Sequence, residues 1–260
     1  MSVSASPAIS GVARSTWRFA LRAAARIIAA FVIYLGTQLA ILTITDSPIW
    51  AALGGAIVTI PVFWFLGALS PHQGTMHFRR PDRSAWLWAV SLVYIWFSGQ
   101  ILVIWLTNTF PERGADFERH VEQLAATPVT MTLLLTIVLA PVAEELLMRG
   151  VLYREIRRGL RIPVWLAVTI SSVIFAVMHG NITQIGCTLT LGAFLALAYE
   201  YTGLILVPIT LHALYNILST FVPADLIAPL ATPALVIGFD TFALAMIVWL
   251  CAVCRFSGRR

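Results

Sequence analysis

The chain has 260 residues, of which 59% are hydrophobic and only 11% are charged. No soluble domain of this length could cover its surface with polar groups at that composition, so the sequence excludes a soluble globular protein and predicts a polytopic membrane protein. The 17 basic residues exceed the 12 acidic ones, but they lie in clusters between apolar runs. That placement excludes nucleic-acid binding and is typical of topology determinants beside anionic lipid headgroups.

The first 26 residues are predicted to be a disordered and basic N-terminal segment. Residues 1–13 are rich in Ser, Ala and Pro, which cannot bury enough apolar surface to fold. Arginines then recur every fourth residue from Arg14 to Arg26, which places them on one stripe of an amphipathic helix. The apolar run from Ile27 is too long for the core of a signal peptide and predicts an uncleaved first membrane span.

Eight membrane-spanning helices are predicted, which makes the fold an all-α polytopic bundle. Seven of the predicted spans are residues 27–45, about 49–69, 85–106, 162–178, about 185–199, 204–221 and 234–253. The fourth in chain order begins near residue 128 and runs into the polar segment 139–150. A basic loop with Arg79, Arg80 and Arg83 belongs inside and an acidic loop over residues 112–122 belongs outside, which places both termini in the cytosol. We divide the spans into N-terminal helices (27–127), a catalytic core (128–221) and a C-terminal helix with a basic tail (222–260).

A few polar side chains lie inside these apolar spans, where they are costly and therefore indicate function. They are Glu144 and Glu145 in the fourth span, His179 at the end of the fifth, and His212 with Asn216 in the seventh. Counting about 1.5 Å of rise per residue from the connecting turns brings Glu144, His179 and His212 to similar depths. The sequence thus predicts one site formed by residues from three helices. Glu200, at the end of the sixth span, is expected to be interfacial and solvated.

The two adjacent glutamates are expected to have different roles. Glu145 and Arg149 lie about 40° apart on a helix, whereas Glu144 is turned about 100° from Glu145. We therefore expect a structural ion pair between Glu145 and Arg149, with Glu144 facing another neighbour. Pro141 lacks an N–H and must leave a backbone carbonyl free, which predicts a polar pocket beside the glutamates.

Three motifs on three of these spans resemble those of the CAAX protease and bacteriocin-processing (CPBP, or Abi) family, which includes the type II CAAX prenyl proteases. The motifs are Glu144-Glu145-Leu-Leu-Met-Arg149, Phe175-Ala-Val-Met-His179 and His212-Ala-Leu-Tyr-Asn216. The resemblance covers about residues 128–220, and the remaining spans match only as hydrophobic helices.

This resemblance implies an intramembrane endopeptidase. By position in the motifs, Glu144 and His179 would activate a water molecule, and His212 and Asn216 would stabilise the oxyanion at the scissile carbonyl. Phe175 would pack against His179. The expected mechanism is a glutamate mechanism without a cofactor. The alternative is a metalloprotease in which the same residues hold Zn²⁺ or another divalent metal, although His-Glu-x-x-His is absent and asparagine is a poor zinc ligand.

Other functions stay open at this point. The expected partners are a peptide or protein substrate at the membrane and the lipid bilayer, in a bacterial cytoplasmic membrane. A non-catalytic scaffold or a bacteriocin self-immunity protein could use the same helices to sequester a peptide. A small transporter could use Glu144 as a proton carrier.

Overall fold

The computed structural model describes residues 7–68 and 85–257, and all regular secondary structure in these ranges is helical. This confirms the predicted all-α fold. The nine helices of the described ranges are α1 (Pro7–Thr45), α2 (Pro48–Ala68), α3 (Ala85–Thr109), α4 (Pro111–Ala125), α5 (Val129–Gly159), α6 (Val164–Met178), α7 (Ile182–Thr202), α8 (Leu206–Phe221) and α9 (Pro233–Ser257). Two short 3₁₀ turns, Ala224–Leu226 and Ala228–Leu230, connect α8 to α9.

The described helices are those of an integral membrane protein. Six of them are long and apolar enough to cross a bilayer, namely α1, α2, α3, α5, α7 and α9. The two shorter apolar helices, α6 and α8, carry 15 and 16 residues. At about 1.5 Å per residue they span roughly 22–24 Å, less than the roughly 30 Å of a hydrocarbon core. The count of eight spans and the cytosolic location of both termini stay predictions.

Two parts of the chain differ from the prediction. Helix α1 begins at Pro7, so residues 7–13 are helical rather than disordered; proline favours the first turn of a helix, where its missing N–H costs nothing. The acidic stretch expected as a loop forms α4, which also begins with a proline and has Glu112 in its first turn, next to the positive end of the helix dipole. The predicted basic loop and residues 1–6 and 258–260 lie outside the described residues.

Helix α7 is the centre of the bundle. The five consecutive residues 194–198 are fully buried, which requires other helices on every side of this segment. Asn181 caps its start by accepting a hydrogen bond from the backbone N–H of Thr183 at 2.8 Å. Gly203 ends it in the left-handed conformation, with φ of 69°. Helix α7 thus holds α6 and α8 in place, and these two helices carry the histidines.

Helix α1 lies at the edge of the bundle. Its large apolar residues Ile28, Val32, Leu35 and Leu39 are exposed and follow the helical repeat, so they form one stripe. An exposed apolar stripe of this length on a spanning helix faces lipid.

Helix α5 contains wide turns. The segments Leu134–Leu139, Leu146–Tyr153 and Glu155–Gly159 have π-helical hydrogen bonds, in which an N–H bonds the carbonyl five residues earlier. For example, the N–H of Ala140 bonds the carbonyl of Leu135. Such turns are uncommon and often lie at functional sites. They frame the short α-helical segment Ala140–Glu145 that carries both glutamates.

Candidate active site

A buried ion pair lies at the centre of the candidate site. Arg149 Nη1 donates to Glu145 Oε1 at 2.9 Å, and both side chains are fully buried. The other terminal nitrogen of Arg149, Nη2, donates to the backbone carbonyl of Gly192 on α7 at 2.7 Å. The pair expected from the sequence is therefore present, and it also ties α5 to the central helix.

His212 joins this pair from α8. Its Nδ1 lies 3.0 Å from Glu145 Oε1, and because a carboxylate can only accept, the Nδ1–H of His212 must donate. Its Nε2 points to the other glutamate, 3.9 Å from Glu144 Oε2. His212 thus links the two glutamates, a contact that the sequence reasoning did not foresee for Glu145.

The two glutamates have different surroundings. The side chain of Glu145 is fully buried, whereas that of Glu144 is 19% exposed. Glu144 Oε2 is buried and has no hydrogen-bond partner within the described part of the chain. At 3.9 Å its distance to His212 is too long for a direct hydrogen bond. Glu145 Oε2 likewise has no hydrogen-bond partner among the described residues, so Glu144 differs from Glu145 in being partly exposed and in accepting no hydrogen bond from Arg149 or His212.

The Phe175 ring contacts both histidines and Arg149. Its ring centroid is 4.9 Å from that of His179 and 5.7 Å from that of His212, both with edge-on geometry. The guanidinium of Arg149 lies over the same ring at 5.0 Å. Stacked cations and edge-on rings are favourable contacts for an aromatic face, so Phe175 fixes three site residues at once.

His179 follows the last residue of α6 and caps this helix. Its Nδ1–H donates to the backbone carbonyl of Phe175 at 2.9 Å, which leaves Nε2 of the neutral ring with a free lone pair. No hydrogen bond or ion pair joins His179 to Glu144 among the described residues. The two side chains expected to share one water molecule are thus brought near one another only through Phe175 and His212.

Asn216 fills the hydrogen-bonding gap that Pro141 creates. In the π-helical register of this part of α5, residue 141 would bond the carbonyl of Thr136, but a proline has no N–H to give. Asn216 Nδ2 donates to that carbonyl at 2.7 Å. One amide hydrogen therefore ties α8 to α5, and the second amide hydrogen of Asn216 remains available to a ligand.

Two further residues near the site, Gly192 and Tyr34, were not found from the sequence. Gly192 supplies the carbonyl bonded by Arg149, and a Cβ atom there would lie 3.1 Å from Phe175 Cδ1 and 3.2 Å from the backbone of Ser172. Tyr34 on α1 lies within electrostatic range of Glu144, and its ring centroid lies 6.2 Å from that of Phe63 on α2. A backbone carbonyl and a tyrosine on an unmatched helix leave no signal in a motif.

Glu200, by contrast, is not solvated as expected. Its side chain is only 8% exposed. Arg157 Nε and the Tyr153 hydroxyl each donate to it at 3.1 Å. The correction follows from the length of α5, whose last turns reach the end of α7 and supply both donors.

The arrangement of these donors bears on the metal alternative. In the described ranges, no three His, Cys, Asp or Glu side chains are placed to hold a metal ion. Glu145 Oε1 already accepts from Arg149 and His212, and a guanidinium 2.9 Å from the carboxylate repels a cation. These residues do not fit a metal centre in this arrangement.

Comparisons with known proteins agree with the motifs. The family model described as type II CAAX prenyl endopeptidase Rce1-like matches residues 126–218, which include all seven predicted site residues. The chain is also 28% identical over 156 residues to the membrane-embedded CAAX protease MroQ of Staphylococcus aureus (strain USA300), an alignment that covers 56% of this chain and 62% of that relative. The chain thus spans less than two thirds of the relative's length. No solved structure matches the chain significantly.

Proposed function

We propose that the chain is a member of the CPBP family, because its core matches the family model and carries all three motifs, and that it hydrolyses a peptide bond with a water molecule activated by Glu144. Similarity to a membrane-embedded CAAX protease and to the family model supports a membrane endopeptidase. The single observation that carries the glutamate mechanism is that Glu144, unlike Glu145, is partly exposed and accepts no hydrogen bond from Arg149 or His212, while its Oε2 lies 3.9 Å from His212 Nε2.

The water would be held between acceptors that the described contacts leave unused. Glu144 Oε2 accepts one hydrogen of the water, and the free Nε2 lone pair of His179 accepts the other. The water oxygen then attacks the scissile carbonyl carbon, and its proton passes to Glu144. General-base catalysis of this kind contributes typically about 10²–10⁴-fold to a rate.

The oxyanion formed by this attack needs donors. The unused amide hydrogen of Asn216 is one donor. His212 Nε2 is the second, but only in the doubly protonated ring, because Nδ1–H already donates to Glu145. When the intermediate collapses, the C–N bond breaks and Glu144 returns its proton to the leaving amine nitrogen. Each oxyanion donor is worth about 3–4 kcal/mol.

The proposed substrate is a peptide at the membrane, which reaches the site from the cytosolic side. The names of the matched proteins favour a lipidated Cys-aliphatic-aliphatic-X tail. We propose that the reaction uses no metal, which the Arg149–Glu145–His212 arrangement supports. Elemental analysis of the active protein tests this point. A stoichiometric metal whose removal stops cleavage would refute it.

The decisive variant is Glu144→Gln, which keeps the shape of the side chain and removes its basicity. We expect loss of cleavage by at least about 10²-fold with unchanged expression and unfolding temperature. The matched control is Asp240→Asn, which makes the same change at another acid inside the membrane and should leave cleavage intact.

The readouts are cleavage of a prenylated Cys-aliphatic-aliphatic-X peptide and a comparison of small membrane peptides from cells with each variant. Cleavage that survives Glu144→Gln in a folded protein would refute Glu144 as the general base. No cleavage product from the unchanged protein would instead indicate a non-catalytic scaffold or an immunity role. Lost uptake without any cleavage product would point to a proton-coupled transporter.

A further inference from the structure

Two arginines at the end of α5 form no ion pair with a carboxylate in the described part of the chain, although Glu155 lies within electrostatic range of Arg154. Arg154 is only 7% exposed, and its Nε has no hydrogen-bond partner. Arg158 lies one turn further on, and its Nε is likewise buried without a partner. No described carboxylate forms an ion pair with either guanidinium. Burying a charged group without an ion-pair partner costs free energy, so a bound anion would stabilise the two arginines.

The nearest carboxylates are already engaged by other side chains. Arg26 on α1 donates to both oxygens of Glu155, each at 3.1 Å. Glu200 accepts from Arg157 and Tyr153. Four arginines, at positions 26, 154, 157 and 158, therefore face two glutamates, which leaves two positive charges in excess. This excess is concentrated on Arg154 and Arg158, which both lie beside Tyr199 of α7.

The cluster lies at the level of the membrane interface. Gly159 is in close contact with α1, because a Cβ atom there would lie 3.0 Å from that of Ala23. Trp17 on α1 is 51% exposed and Trp165 on α6 is 58% exposed, and tryptophan favours the headgroup region of a bilayer. By the charge rule this end of α5 is the cytosolic one, where anionic phospholipids give the membrane its negative surface.

We propose that Arg154 and Arg158 bind the phosphate of an anionic phospholipid from the cytosolic leaflet. A guanidinium matches a phosphate with two parallel hydrogen bonds, and such charge-assisted bonds are strongest where water is excluded. The lipid would complete the ionic cluster that joins α1, α5 and α7. This site lies ten residues along α5 from Glu144 and does not depend on proteolysis.

The test measures phosphatidylglycerol binding to the purified full chain in detergent by native mass spectrometry. We expect Arg154→Gln and Arg158→Gln each to bind phosphatidylglycerol about tenfold more weakly than the unchanged protein, which corresponds to about 1.4 kcal/mol. The matched control is Arg161→Gln, which removes an equal charge from an exposed arginine at the same end of the helix and should bind as the unchanged protein does. If Arg154→Gln does not fold, Arg158→Gln decides alone, because that side chain is only half-buried.

Three results would overturn the proposal. Equal weakening by Arg161→Gln would show attraction to net charge rather than a site. Equal affinity for phosphatidylcholine and phosphatidylglycerol would show that an anionic lipid is not required. Inorganic phosphate that raises the unfolding temperature of lipid-free protein as much as phosphatidylglycerol does, and displaces that lipid, would identify free phosphate as the ligand.

Discussion

Two acidic residues inside the membrane-spanning helices are accommodated in different ways. Glu145 is fully buried and is hydrogen-bonded to its neighbours. We call Glu145, Arg149, His212 and the carbonyl of Gly192 the Glu145 network. Asp240 on α9 is half-buried and accepts a hydrogen bond from the Ser98 hydroxyl of α3 at 2.5 Å. No arginine or histidine of the described residues pairs with Asp240.

The difference shows what a buried acid can do for a membrane bundle. The Glu145 network connects α5, α7 and α8 through one carboxylate, so each member holds another member in place. The Ser98–Asp240 pair joins only two helices and leaves the acid near the edge of the bundle. Connected polar groups rigidify a core, whereas an isolated pair contributes about as much as one hydrogen bond.

The largest expected effect comes from breaking the Glu145 network at its cation. Arg149→Met leaves a fully buried carboxylate with His212 as its remaining donor and removes the bond to Gly192, so we expect a loss of about 3–5 kcal/mol in the free energy of unfolding. Equilibrium unfolding in mixed micelles measures this loss. A loss no larger than that of Asp240→Asn would contradict the distinction between the two acids.

Gly192 tests how closely α6 and α7 must approach. In Gly192→Ala the new Cβ lies 3.1 Å from the Phe175 ring and 3.2 Å from the backbone of Ser172, and we expect a loss of about 1–3 kcal/mol. The control is Gly238→Ala, two residues from Asp240, where the Cβ meets nothing within 4 Å. That variant should keep or slightly raise the unfolding temperature, since alanine favours helix. Equal stability of the two variants would show that the close approach is not required.

Asn216→Ala removes the donor that satisfies the carbonyl of Thr136. We expect about 1–3 kcal/mol of lost stability, because that carbonyl lies inside the bundle and would be left without a partner. Gln100→Ala removes an amide donor to Ser219 from a more exposed site and should cost less. Unfolding in micelles compares the two, and cleavage assays report the additional loss expected of an oxyanion donor. A folded and fully active Asn216→Ala protein would argue against both roles.

Asp240→Asn is expected to have the smallest effect. Asparagine keeps an oxygen that accepts from Ser98, so the free energy of unfolding should change by about 1 kcal/mol or less. The same unfolding experiment applies, with Ser98→Ala as the companion variant. A loss of several kcal/mol would show that Asp240 has a partner as important as Arg149 is to Glu145.

Much of the fold and part of the site could be predicted from the sequence. Hydropathy located the spanning helices, because only apolar helices satisfy their backbone within a bilayer. The i, i+4 spacing predicted the contact between Glu145 and Arg149, since that contact depends only on a local helical turn. Helix α4 was missed although its Pro111 and Glu112 are helix-start signals, because its charges were interpreted only as a topology signal.

The missed features depend on tertiary contacts or on backbone register. The bond from Arg149 to Gly192 joins residues 43 positions apart through a carbonyl that every residue has. Asp240 could have been found by searching every span for ionisable residues, but no motif includes it. The wide turns of α5 have no sequence signature of their own. The angle between Glu144 and Glu145 was predicted for a regular α-helix with about 100° per residue, which does not include such turns.

The wide turn before Pro141 has a consequence for changes in chain length. In a regular α-helix, the missing N–H of residue 141 would leave the carbonyl of Ile137 without a donor. In the π-helical register, where each N–H bonds the carbonyl five residues earlier, the carbonyl of Thr136 lacks its donor instead, and Asn216 donates to it. Deleting one residue from Leu134–Leu139 would allow this turn to tighten and would leave α5 unbroken. The amide on α8 would then meet a different part of the helix, so the two segments would lose their shared alignment even though every motif residue is retained.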